Sequence, residues 1–296
     1  MRADLIPLLS NVVSNLSLLR PRGVHVLSSQ SESIAALTSA AFAITSLPPS
    51  SSIVIMTGFP CLTTSPPTET DGPNGAFALV RCLNKLGHKT LILTNECDYD
   101  VMNCVGMTEI EKFPPTSSWT TRDDARLQQI ADTKCDHIIS IERPGLAADN
   151  NYYTMSGRSM NSDVAPLEKL LTIRKPGVSC TAIGDGGIEL GMGKVYDRIL
   201  TSEIPNKKLI GSTISCDNLI LCAVSNWGGY ALAGAVANSV DCLPSKEEET
   251  EILRKVVAAG ARDGILRVQG GMTVDGLSLE ENLDVLGKIQ DLVKNR

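Results

Sequence analysis

The residues of this chain that could do chemistry fall in four short runs. They are Glu69-Thr70-Asp71-Gly72-Pro73, Glu142-Arg143-Pro144-Gly145, Gly184-Asp185-Gly186-Gly187 with Glu189 close behind, and Ser225-Asn226-Trp227-Gly228-Gly229-Tyr230. The third is the richest. A β-branched run at 178–183 leads into it, and Glu189 follows in what reads as the first turn of a helix ending near Ser202. Glycines permit positive φ and close approach of a ligand to the backbone, and the unpaired N–H groups of a new helix favour an anion. Asp185 and Glu189 at the same spot favour a cation. Together they suit an anionic ligand bridged by a metal, or a zwitterion.

Familiar motifs do not account for these runs. A dinucleotide fingerprint would need a glycine where Glu189 stands, and a phosphate-binding loop would need glycine at Ile188 and a hydroxyl at Val195. No nucleotide cofactor is therefore expected. The nine cysteines include no C-x-x-C pair, and the three histidines, His25, His88 and His137, all sit in or at the start of expected strands. Neither a zinc site nor a histidine-based triad is expected, and no G-x-S-x-G elbow occurs. A plainer reading of the Gly184 run is a strand-to-helix turn that packs a helix closely on a sheet.

The four runs, in this order between about residues 55 and 240, resemble the C-terminal domain family of D-glutamate cyclase. The resemblance implies lactam formation from D-glutamate, with the α-amine attacking the side-chain carboxyl to give 5-oxo-D-proline and water. It also implies that in animals the domain follows a separate hydrolyase-like domain, for which 296 residues leave no room. One departure stands inside the best run: the family's pattern has a polar residue, commonly Asn, where this chain has Ile188, which removes one ligand-binding amide.

That reaction needs a neutral amine, a substrate folded back on itself, and a carboxyl made electrophilic by a metal or strong donors. In this sequence Glu142 or Glu69 could take the amine proton, with Asp71 and Asp185 completing the catalytic set. Arg143 or Arg158 could hold the α-carboxylate bidentately, with Tyr152 on the same loop. Thr57, Gly58, Gly186, Gly187, Ser225 and Asn226 are the further substrate-binding candidates. The long 58–74 loop would bring Glu69 and Asp71 over Asp185 and Glu189, and crowded carboxylates are costly without a cation. Asp185, Glu189 and Glu69 are the expected ligands of a divalent ion, and oxygen donors suit Mg²⁺, Mn²⁺ or Ca²⁺. The alternative is a non-catalytic module that binds an amino acid or a phosphate and needs a separate hydrolyase-like domain for turnover.

The elements that must position these residues alternate. Helices are expected at 4–19, 32–46, 74–86, 98–104, 123–133, 230–240 and 278–293. Strands are expected at 24–27, 53–57, 90–93, 108–112, 137–141, 178–183 and 219–224. Such alternation predicts an α/β fold, a three-layer α/β/α sandwich with a mostly parallel, Rossmann-like sheet whose ligands bind beyond the C-terminal strand ends. Thr57-Gly58, Asn95-Glu96, Glu142-Arg143, Asp185-Gly186 and Ser225-Asn226 all follow strands, which points to one pocket. One domain over 1–296 is expected, its first 50 residues forming a helical and strand extension.

Composition bounds the partners. A hydrophobic content of 43 % with only 4 % aromatics requires an aliphatic core, as in a parallel sheet covered by helices. A net charge of −6 argues against nucleic acid or anionic membrane and for a small-molecule amino-acid substrate. The charge-free stretch at 218–240 is interrupted by Ser225, Asn226, Gly228 and Gly229, so it reads as a buried strand and helix rather than a membrane span. Arg2, Arg20 and Arg22 give a faint resemblance to a transit peptide, but leucines and valines at helical spacing mark a first helix. An intracellular protein of cytoplasm or mitochondrial matrix is expected. A homodimer face could be supplied by the Trp227 region or by the C-terminal helix, which opens with the capping pattern Ser278-x-x-Glu281.

Overall fold

The strand segments are aliphatic at almost every position, so they are stable only with both faces covered. The structure, a computed structural model describing residues 5–15 and 26–295, pairs six of them in parallel. They are β1 (Ser52–Met56), β2 (Lys89–Asn95), β3 (Glu109–Phe113), β4 (His137–Ile141), β5 (Ser179–Gly184) and β6 (Asn218–Leu221), in the order β3-β2-β1-β4-β5-β6. The helices are α1 (Leu5–Asn15), α2 (Gln30–Thr45), α3 (Pro73–Lys85), α4 (Tyr99–Asn103), α5 (Thr121–Thr133), α6 (Lys169–Ile173), α7 (Tyr196–Thr201), α8 (Lys207–Ile210), α9 (Ser225–Val236), α10 (Lys246–Ala258) and α11 (Leu279–Lys294).

Alternation within each strand sorts the side chains into two cores. Ile53, Ile55, Ile92, Ile139, Ile141 and Ile183 pack under the layer that holds α1, α2, α3, α9 and α11. Val54, Met56, Leu91, Leu93, Ile138 and Cys180 pack against α5, α6 and the irregular 143–168 segment. This is the expected three-layer α/β/α arrangement with a parallel sheet. The chain builds outward from β1 through β2 and β3 on one side and returns to β4 on the other. Such a reversal leaves a crevice beyond the strand ends, where open α/β sheets hold ligands.

α9 lies at the centre of its layer, buried at all twelve positions and touching α1, α2, α3 and α11. The charge-free run is thus a short strand and a buried helix. Among the described residues no helix is long and apolar enough to cross a membrane.

Three expectations about elements are corrected. The helix expected to start at Glu189 starts at Tyr196, because Gly187 (φ +89°) and Gly191 (φ +104°) adopt left-handed conformations that no helix contains. Glu189 instead makes an antiparallel bridge with Pro144. The helix expected from Tyr230 begins five residues earlier, at Ser225, because a carboxylate from another loop caps it there. Half of the strand expected at 24–27 falls outside the described residues, and its other half is not strand, Val26 being 3-10 helical and Leu27 a bend. The reading also missed α10, although Ser245 and Glu248 form its capping box, and the hairpin of β7 (Thr273–Val274) and β8 (Leu277–Ser278) turning at Asp275-Gly276.

Candidate active site

The first N–H groups of α9 have no partner within the helix and must find one elsewhere. Asp71, from the loop before α3, supplies it. Its Oδ2 accepts from Ser225 N at 2.8 Å and its Oδ1 from Asn226 N at 2.8 Å and Gly72 N at 3.0 Å. The anion favoured by a helix N-terminus is therefore one of the chain's own side chains. Asn226 completes the clasp: its Oδ1 accepts from Gly72 N at 3.0 Å and Gly75 N at 2.7 Å, and its Nδ2 donates to Thr70 O at 3.2 Å.

Glu142 follows β4 with φ at +41°, a strained backbone for a non-glycine residue and one that clusters at functional sites. Its Oε2 accepts from the Ser225 hydroxyl. Gly72 makes room for it, since a Cβ there would stand 2.9 Å from the Glu142 Cβ. Asp185 follows β5, next to β4. Asp71, Glu142 and Asp185, all buried, each offer a carboxylate oxygen within 4.8 Å of the others.

Burial pushes the Glu142 carboxyl well above the usual range, and Glu189, Glu69 and Asp71 push it the same way. Glu69 is raised too, first by burial and then by Cys61, whose thiol donates to Glu69 Oε2 at 3.2 Å. Burial in turn raises the Cys61 thiol to about 11. Three buried carboxylates at this separation repel one another unless protons or a cation offset the charge. The donors are all hard oxygen, so the group that fits is Mg²⁺, Mn²⁺ or Ca²⁺ rather than zinc.

In front of the triad lies a cavity of about 630 Å³, large enough for an amino acid. Glu69, Glu142, Asp185 and Glu189 line it, whereas Asn226, expected on the same rim, does not, its side chain being spent on Gly72, Gly75 and Thr70. Phe59, Met155, Ile188 and Ile265 give it apolar walls, and Cys61, Glu203, Arg267 and Asp275 complete its charged and thiol lining. The sequence reading missed these last four. Asp275 alone had a signal, the Asp-Gly turn with both residues at positive φ (+58° and +74°).

The structure gives several expected site residues other work. Glu189 turns back on its own loop, accepting from Gly186 N and Gly187 N at 2.8 Å and from Ile188 N at 3.1 Å. The amides expected to hold the substrate thus hold a carboxylate of this chain. Arg143 is 1 % exposed and donates to the carbonyls of Ala165 at 2.5 Å and Thr57 at 3.5 Å. Arg158 ties down the long loop through the carbonyls of Cys61 at 2.6 Å and Leu62 at 3.2 Å. The Tyr152 hydroxyl donates to Glu168 at 2.8 Å. The buried Thr57 hydroxyl has no partner among the described residues, and Gly58 (φ +108°) lets β1 close on Asp98, where a Cβ would meet Oδ2 at 2.6 Å. None of these five lines the cavity.

A family model described as D-glutamate cyclase-like, C-terminal, matches residues 20–290. The chain belongs to that family. It is also 32 % identical over 282 residues to human mitochondrial D-glutamate cyclase, an alignment covering 81 % of this chain and 46 % of that protein. The chain therefore spans about half the length of this curated relative. Membership agrees with the parallel sheet and with the way the four runs gather beyond β1, β4, β5 and β6. Ile188, where the resemblance implies a polar residue, is buried and forms part of the cavity wall.

Proposed function

We propose that this chain cyclises D-glutamate to 5-oxo-D-proline and water in the cavity before Asp71, Glu142 and Asp185. The observation that carries the reading is this convergence, in a member of a cyclase family, of three buried carboxylates at the crevice where the sheet order reverses. Asp71, Glu142 and Asp185 would hold a divalent cation, and Glu69, beside them on the cavity wall, is the proton carrier. A cation bound there would draw density from the reacting carboxyl and make its carbon more electrophilic.

The chain's own residues move the protons. Burial raises the Glu69 carboxyl, so its carboxylate is a stronger base than an exposed one. It takes a proton from the substrate ammonium, and the freed nitrogen attacks the side-chain carbon. The C–N bond forms, a C–O bond breaks, and Glu69 passes two protons in turn from nitrogen to the departing oxygen, which leaves as water. The apolar walls of Phe59, Met155 and Ile188 exclude bulk water, which favours loss of water over hydrolysis of the lactam.

The test is incubation of the chain with D-glutamate and each of Mg²⁺, Mn²⁺ and Ca²⁺, with NMR detection of 5-oxoproline and L-glutamate as control. Product from D-glutamate alone is expected, and a folded chain that gives none with any metal refutes catalysis by this chain. The second reading is a binding module that needs a further domain for turnover. It predicts that D-glutamate raises the melting temperature without forming product. An intracellular setting, cytoplasmic or mitochondrial, is supported by the mitochondrial name of that relative.

A further inference from the structure

A cavity walled by Glu69, Glu142, Asp185, Glu189, Glu203 and Asp275 must still bind a substrate that carries carboxylates. Among the described residues that line it, Arg267 is the one lysine or arginine. Arg143 and Arg158 are committed to backbone carbonyls elsewhere. We propose that Arg267 is the anchor for the substrate's α-carboxylate, an inference that rests on the cyclase reading above.

The loop that carries Arg267 is built to place it. Asp263 is fully buried, and its Oδ1 accepts from Ile265 N and Leu266 N at 2.8 Å while its Oδ2 accepts from Gly276 N at 2.6 Å. One side chain thus ties both limbs of the 264–276 loop. The Arg267 N–H donates to Asp263 O at 2.9 Å, so the turn closes at Arg267, which itself takes a left-handed conformation, φ +58°. The position relative to the proton carrier follows from Gly264. A Cβ there would stand 2.2 Å from Glu69 Oε2, so the loop backbone rests against Glu69 itself. In an amino acid the α-amine and α-carboxylate share one carbon. A carboxylate held three residues from that contact delivers the amine to Glu69 and leaves the side-chain carboxyl for the triad.

Arginine suits this task because its planar fork meets a carboxylate with two parallel N–H bonds, which lysine cannot do. The residue is exposed where it lines the cavity, so truncating it empties no core space. The experiment compares wild type, Arg267→Ala and Arg267→Lys for 5-oxoproline formation over a range of D-glutamate concentrations, with melting temperatures alongside. Loss of a charged hydrogen-bonded contact made equally in ground and transition states raises KM for Arg267→Ala about ten- to hundredfold with kcat little changed. Arg267→Lys is expected to fall between, at an unchanged melting temperature. Trypsin cleavage after Arg267 in the wild type should slow on adding D-glutamate. An active wild type whose Arg267→Ala variant keeps its KM overturns the anchor while leaving the cyclase reading intact. Equal KM increases in both variants with lowered melting temperatures mark a structural role and also overturn it. A wild type that neither turns over D-glutamate nor is stabilised by it removes the cyclase reading and the anchor together.

Discussion

Carboxylates of one chemical kind divide here into two jobs, set by what each oxygen meets. Glu189 satisfies backbone N–H groups alone, Asp71 caps α9 while keeping its place in the oxygen triad, and Asp185 stands on the cavity wall within that triad. Glu189→Gln keeps the shape but replaces one acceptor oxygen with a donor facing N–H groups, at a cost of about 2–3 kcal/mol of unfolding free energy. Asp185→Asn fills the same volume, so it should unfold at the wild-type urea concentration. It should also lose both product formation and the stabilisation given by millimolar Mg²⁺ or Mn²⁺, about 2.7 kcal/mol at a hundredfold excess over Kd. The reverse pattern, a stable Glu189→Gln chain that no longer responds to metal, would move the ligand role to Glu189. At this scale the sequence reveals residue type and place but not partner. Asp185, Glu142 and Glu69 could be assigned to one rim because each follows a strand or lies in a loop long enough to reach it. That Glu189 would curl onto Gly186, Gly187 and Ile188 goes with the left-handed backbone at Gly187, which a glycine permits but does not dictate. That Arg143 and Arg158 would bind carbonyls depends on loops whose course no periodicity encodes.

The elements hold the site through one close crossing. α3 begins beside Asp71 and Gly72, α9 begins with Ser225 and Asn226, and the two helices meet where a Cβ on Gly229 would stand 2.8 Å from Gly75 Cα. Helix propensity alone favours Gly229→Ala by up to about 1 kcal/mol. Contact with backbone atoms cannot be relieved by a rotamer change, so overpacking, which costs about 1–3 kcal/mol, decides the sign. Gly229→Ala should lower the melting temperature and reduce activity, because parting the helices pulls Asp71 away from Glu142; a raised melting temperature would show that the crossing has slack. The same crossing explains which elements were legible. β1, β2, β4 and β5 announced themselves as aliphatic runs bounded by turn residues, a pattern that burial on both faces imposes. The start of α9 did not, because Ser-Asn-Trp-Gly-Gly is a poor helical sequence that Asp71 and the Gly75 contact stabilise from outside. Tertiary contacts overrode local propensity there, as the left-handed glycines after Asp185 overrode the expected helix.

Taken whole, the molecule holds opposed titrations at two buried places, one in its sheet and one among its helices. His137, at the N-terminal end of β4, is buried with its ring nitrogens 3.0 Å from the Ser179 hydroxyl and 3.2 Å from that of Thr181, and burial lowers its pKa to about 4. Glu249 on α10 is buried against the Tyr230 hydroxyl and Asn74, and burial raises its pKa to about 7. For His137 the unfolded chain binds the proton more readily, so its contribution is full above the ordinary value of 6.5 and is lost as pH falls through 4. For Glu249 the folded chain binds the proton more readily, so its contribution is full below 4.5 and is lost as pH rises through 7. From 6.5 to about 4 and from 4.5 to about 7, each contribution amounts to about 3 kcal/mol, with opposite slopes over nearly the same pH window. Glu249→Gln removes the falling contribution, so its stability should rise relative to wild type as pH goes from 5 to 7. His137→Asn removes the rising one, so its stability relative to wild type should fall over that range. Urea unfolding at half-unit pH steps measures both differences. Parallel curves for wild type and Glu249→Gln would mean that the buried carboxyl ionises in the folded chain as it does in the unfolded one, and that α10 tolerates a buried charge against Tyr230.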